Sequence, residues 1–197
     1  MAERLGTSLT ATREALIQLE SEGLITKRPN ATTHVTQLSA GDVEQIYSIR
    51  RVLERYAFEE AARRATRESV EKLKALHKEA AEIAAAGNDA AYISADLRWH
   101  EAVWESTGNA HLSETLRRLV VPLFGFSAIT THHGFNLKDD AQTHVPLLEA
   151  LMARDPQAAG AAFDKFAEIW LRSLADAKRS SPARTRTAKQ IKKLTIS

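Results

Sequence analysis

Four ionisable side chains occupy positions that helical spacing assigns to an apolar core. Around residues 90–107 the inward stripe reads Ile93, Asp96/Leu97, His100, Val103/Trp104, so Asp96 and His100 share one face, a single turn apart. A second stripe, His144, Leu147/Leu148, Leu151, turns another histidine inward, and Arg50 lies between Ile46 and Leu53 on a third. An unpaired charge in an apolar core is strongly destabilising, so these groups need partners, and one shared pocket would supply them. An aspartate and a histidine at i, i+4, joined by a histidine from another helix, form an oxygen and nitrogen donor set suited to zinc or manganese. The planar guanidinium of Arg50 suits a carboxylate or phosphate. Plainer uses stay open at each position: Asp96 and His100 bonding to one another, Arg50 pairing with Glu54 or reaching water, Asn109 capping a helix. His111, His132 and His133 read as exposed, and Trp99, Trp104 and Trp170 as packing residues rather than a cofactor box.

The elements that must position these groups are helical. From Ser39 onward there is almost no period-two alternation, which argues for an all-α domain. Ser39, with Asp42 three residues on, resembles a cap for a first helix carrying Val43, Ile46, Leu53 and Ala57. Thr66 opens a second, which runs out at Gly87-Asn88-Asp89, and a third spans about Ala90 to Thr107. Asn109 caps a fourth, whose pattern weakens over Pro122 to Gly125, and a loop containing glycine and histidine follows. A fifth covers about Lys138 to Arg154; Asp155-Pro156 starts a sixth, with Ala162, Phe163, Phe166 and Ile169 inward, ending near Lys178. Short connections between helices suggest an antiparallel bundle of six to seven. Before it, residues 1–38 read as a short helix in AERLG, a turn, a longer helix LTATREALIQLESEGLI and a hairpin in TKRPNATTHVTQL, the order of a winged helix-turn-helix. Residues 179–197 are polar, basic and aperiodic, and read as a disordered tail.

Composition sets bounds on the chemistry. The 197 residues include no cysteine, which excludes disulfides, thiolate metal sites and cysteine nucleophiles, and fits a reducing cytoplasm. MAERLG lacks the apolar core of a signal peptide, and LVVPLFGFSAI is too short and too interrupted to span a bilayer. The formal net charge is +2, but residues 178–197 hold seven Lys/Arg and no acid, leaving −5 for the rest. Four basic and four acidic residues cancel in the first forty, so net charge gives no argument for DNA binding.

With these segments in order, the chain resembles the GntR family of regulators, in its FadR subfamily with an FCD ligand-binding domain. The resemblance rests on Arg13-Glu14-Ala15-Leu16, Leu19-Glu20-Ser21-Glu22-Gly23-Leu24, IYSIRRVLE, DLRWHEAVWESTGN, THVPLLEAL and ARDPQAAGAAF. It implies a cytoplasmic homodimer that binds double-stranded operator DNA and no membrane, with a helical bundle taking a small anionic metabolite, a divalent metal, or both. No catalytic residue is implied. The family's metal set is an aspartate and three histidines; Asp96, His100 and His144 fall on three of these positions, for zinc, manganese or nickel, and Phe166 falls on the fourth. A phenylalanine cannot coordinate, which leaves a three-ligand site completed by water or effector, a weakened site, or a metal-free cavity. Arg50 and Asn109 fall where the family lines its effector cavity, and Ser8, Thr10, Arg13, Lys27 and Arg28 on the DNA-binding side. Leu9 replaces a usual arginine, and Pro29-Asn30-Ala31-Thr32 a glycine-rich wing tip; one more helix and a strand would precede AERLG in a complete winged helix. The expectation is therefore a transcriptional repressor whose bundle binds a carboxylate metabolite. A sensor that has lost DNA binding and a metal-dependent hydrolase are the alternatives.

Overall fold

The computed structural model describes residues 2–27, 33–130 and 136–180. Caps that the sequence advertises start most of the helices. Ser39 Oγ accepts from the Asp42 amide at 3.1 Å and Asp42 Oδ2 from the Ser39 amide at 2.7 Å, a capping box that opens helix α2 (Ala40–Arg64). Thr66 and Ser69 repeat the device for α3 (Arg67–Ala86), which Gly87 ends at φ 71°, a left-handed conformation that suits glycine. Asn88 caps α4 (Asp89–Ser106), Asn109 caps α5 (Ala110–Thr130), and Asp155 Oδ1 accepts from the Ala158 amide to open α8 (Pro156–Ser180).

Two expectations about helix boundaries change. The fifth predicted helix is two, α6 (Leu137–Thr143) and α7 (Val145–Ala153), broken at His144. Pro146 has no N–H to continue the ladder and sits in the first turn of the new helix, where none is needed. Conversely, α5 runs on through Pro122, past the point where its pattern weakens. Packing supports that turn, because Leu24 sits so close to Gly125 that a Cβ there would lie 2.6 Å from Leu24 Cδ2. Ile169, expected inward, is 49 % exposed, at the outer edge of the α8 stripe.

Seven helices, α2–α8, form the bundle among the described residues. α2 lies along α8, α3 along α4, and α4 along α5, with α7 closing against α8. Phe58, Trp99, Trp104, Leu116, Leu147, Leu151 and Phe163 fill its centre. The first helix, α1 (Leu9–Ser21), is capped by Ser8 Oγ, which accepts from the Ala11 amide at 3.1 Å. It precedes a two-stranded antiparallel hairpin, β1 (Ile25–Lys27) with β2 (Thr33–Val35), in the register Ile25–Val35. A single 3-10 turn at Glu3–Leu5 precedes α1, so short helix, helix and hairpin follow one another in the expected order, and the bundle is all-α. Arg28, the wing tip at residues 29–32, His132, His133 and residues 181–197 lie outside the described residues.

Candidate metal centre

Helix α4 presents Asp96 and His100 one turn apart, as the spacing predicts, and His144 meets them from the junction between α6 and α7. His144 Nε2 lies 3.1 Å from Asp96 Oδ1 and 3.3 Å from His100 Nε2, and His100 Nε2 lies 3.9 Å from the same Asp96 oxygen. One donor atom from each residue thus falls within 4.8 Å of the others. Both imidazoles are buried, and Asp96 is largely covered.

The far sides of the two rings decide what their near sides can do. His144 Nδ1 donates to the Asp140 backbone oxygen at 3.1 Å. His100 Nδ1 lies 3.0 Å from Glu54 Oε1, although off the line of a hydrogen bond. An acceptor beside Nδ1 favours the proton there and leaves a lone pair on Nε2. Two Nε2 lone pairs facing each other at 3.3 Å, with a carboxylate oxygen alongside, call for a cation between them. Burial works against a charged His144, but the Asp96 carboxylate outweighs burial and holds its pKa above the usual value. Burial raises Asp96 and His144 more than offsets it, so the aspartate stays ionised.

Arg50 lies beside this centre. It is buried, its Nε donates to Glu54 Oε2, and its Nη1 donates to the Tyr47 hydroxyl at 2.8 Å. Its Cζ stands 5.1, 5.6 and 5.9 Å from the ring centres of Tyr47, Phe124 and Phe166. Burial pushes the Glu54 carboxyl up, but Arg50 and then His100 pull it down to about 2. Trp104 Nε1 donates to Glu54 Oε1 at 2.9 Å. Three buried side-chain nitrogens have no hydrogen-bond partner among the described residues: Arg50 Nη2, Trp99 Nε1 and His100 Nδ1. The Trp99 and His100 rings are in contact, and the Phe166 ring touches both His100 and the Arg50 guanidinium. His100 Nδ1 faces the Glu54 carboxylate, which leaves Arg50 Nη2 and Trp99 Nε1 as the buried donors beside the imidazoles with no acceptor among the described residues, and native interiors leave few such groups.

Phe166 closes the remaining side, its ring 5.7 Å from His100 and 5.0 Å from His144, and offers no donor. The residues present fit a three-ligand divalent site through Asp96 and the two Nε2 atoms. When bound, the cation would supply a Lewis-acidic charge for an anion to meet.

The other expected site residues lie elsewhere. Asn109 is exposed, its Oδ1 accepting from the Leu112 amide at the start of α5, so the capping use is the one the geometry shows. Ser8 is a helix cap, Thr10 and Arg13 are exposed on α1, and Lys27 pairs with Glu20 at 2.7 Å. Of the tryptophans, Trp99 packs edge-on against both imidazoles, Trp104 anchors Glu54, and Trp170 stacks on Tyr47 at 4.1 Å. Spacing alone missed Tyr47 and Asp140, although each stands three or four residues from a group it serves. Asp140 Oδ2 accepts from the Tyr92 hydroxyl at 2.9 Å, which ties α6 to α4.

Residues 45–168 match the family model of the FCD domain, a span that holds every residue of this centre. The chain is 30 % identical over 159 residues to a probable D-xylose utilization operon transcriptional repressor of Paenarthrobacter nicotinovorans, covering 81 % of this chain and 70 % of that one. It is 34 % identical over 134 residues to the Uxu operon transcriptional regulator of Escherichia coli K12, covering 60 % of this chain and 51 % of that one. Among solved structures, E. coli McbR/YncC superposes with a TM-score of 0.78 at 22 % identity, over 90 % of this chain and 84 % of the other, a likeness of fold. The chain belongs to the GntR family of transcriptional regulators, in the branch that carries an FCD domain.

Proposed function

We propose that this chain is a cytoplasmic, non-enzymatic, effector-responsive repressor whose bundle binds a small carboxylate beside a divalent metal held by Asp96, His100 and His144. The observation that carries this reading is the convergence of two Nε2 atoms and a carboxylate oxygen beside a buried guanidinium whose Nη2 has no partner among the described residues. Arg50 Nη2 is the donor left for the carboxylate. The bound ligand favours one arrangement of the bundle, and operator affinity follows that preference by linkage. Because one relative is named for D-xylose utilization, pentose-derived acids head the ligand panel.

Self-association fits the outer face of α2. Opposite its buried side it presents Ile49, Val52 and Tyr56, 51 %, 68 % and 47 % exposed, a second apolar stripe that a solvated helix does not need. A homodimer through this stripe would place two DNA-binding units on one operator. Leu9, 62 % exposed where the family resemblance expects an arginine, favours a second reading, a ligand sensor without operator binding. The test is a selection of operator sequences with the full-length protein, repeated with Zn2+ and the acid panel. Specific binding that shifts with ligand supports the repressor; binding of Zn2+ and an acid with no operator selected supports the sensor; neither result sinks both.

A further inference from the structure

We infer that Glu54 is a positioning residue that couples metal binding to anion binding in this pocket. The inference rests on the proposed metal and carboxylate site and adds the link between its halves. Glu54 stands one turn after Arg50 on the inward face of α2 and is fully buried. Its two oxygens serve different neighbours. Oε2 accepts from Arg50 Nε, while Oε1 accepts from Trp104 Nε1 at 2.9 Å and lies 3.0 Å from His100 Nδ1.

Each oxygen prepares one half of the site. Negative charge beside His100 Nδ1 holds the ring proton there, so Nε2 keeps its lone pair for the metal. On the other side, Glu54 occupies the Arg50 Nε and Tyr47 occupies Nη1, which leaves Nη2 as the guanidinium nitrogen without a partner. Arg50 and His100 then lie against the same two rings: Phe124 and Phe166 are 5.6 and 5.9 Å from the guanidinium carbon, and 5.9 and 5.7 Å from the His100 ring. A single carboxylate, pinned by Trp104, therefore sets both the lone pair and the free N–H. A ligand that tightens either half stiffens the carboxylate for the other, and such linkage is reciprocal.

The test uses the full chain, Zn2+ alone as the metal probe and acetate as the carboxylate probe. In the metal-free wild type, long-range 1H–15N correlation of the His100 ring is expected to show the proton on Nδ1; a proton on Nε2 overturns the inference. In calorimetry, E54Q is expected to bind Zn2+ about 10–100-fold more weakly than wild type. Zn2+ is expected to raise wild-type acetate affinity by about fivefold or more, and that enhancement should fall towards one in E54Q. A folded E54Q with wild-type Zn2+ affinity and an intact enhancement overturns the inference. Should E54Q not fold, as judged by its amide spectrum, the wild-type tautomer decides alone. Absence of Zn2+ binding by the wild type would instead refute the metal reading, and the tautomer would still decide the role of Glu54.

Discussion

Replacing Asp140 by asparagine should stabilise the metal-free chain and weaken its hold on metal. Burial first, then the Asp96 carboxylate, push the Asp140 carboxyl up from 3.8 to about 6, more than His144 and the Tyr92 hydroxyl pull it down. The folded chain therefore holds this proton more tightly than the unfolded chain does. The ionised Asp140 costs nothing below about pH 4, its cost grows as pH rises, and above about pH 6 the cost is fully present. A shift of about two units corresponds to about 3 kcal/mol, an upper bound for a side chain that is not fully enclosed. The asparagine oxygen can still accept from Tyr92, so the expected gain is about 1–3 kcal/mol. At roughly 2–4 °C per kcal/mol for a chain of this size, the melting temperature rises by several degrees near neutral pH and stays unchanged near pH 4. A bound dication reverses the sign, because the carboxylate then faces a positive charge; D140N should weaken Zn2+ binding by about tenfold. Thermal unfolding followed by circular dichroism, in chelator at several pH values, measures the first effect, and calorimetry the second. A lower melting temperature in chelator near neutral pH, or an equal gain at both pH values, would refute the reasoning.

Phe166→His should add a nitrogen donor beside both imidazoles, and Zn2+ affinity should rise by about tenfold or more, read by competition with a chromogenic chelator; an unchanged affinity would mean that residue 166 does not face the metal. His100→Ala should reduce Zn2+ affinity by at least about 100-fold while removing a packed ring from the core, so its melting temperature in chelator should also fall. Val52→Asp places a charge in the outer stripe of α2 without touching the core; sedimentation should show the monomer fraction rising, with circular dichroism unchanged. A V52D chain that remains as associated as wild type would move the dimer contact elsewhere.

The fold was largely legible because its signals are local. Ser39 with Asp42, Thr66 with Ser69, and the asparagines and glycines at the ends of α3 and α4 state where helices start and stop within three residues. The two boundaries that read differently, Pro122 and Pro146, concern the same residue type in different settings. Pro122 lies where the Gly23-Leu24 turn packs against α5, and the helix continues through it; Pro146 takes the first turn of α7, where its missing N–H leaves no helical bond unmade. His144 stands at that junction with a helical backbone, its Nδ1 at the Asp140 carbonyl and its Nε2 at His100, contacts that periodicity does not report.

The site was legible as residues and illegible as a network. Helical stripes identify Asp96, His100, His144 and Arg50 as polar groups facing inward, but a stripe does not report which atoms meet. For Arg50 the sequence offers pairing with Glu54 and ligand binding as competing uses, since spacing treats a side chain as one unit. A guanidinium has three nitrogens, and the structure uses them separately: Nε for Glu54, Nη1 for Tyr47, and Nη2 for neither. Pairing is thus what makes ligand binding available, because a buried guanidinium without a carboxylate partner would be too costly to keep in the core. The same reasoning applies to His100, whose usefulness at Nε2 depends on what stands behind Nδ1.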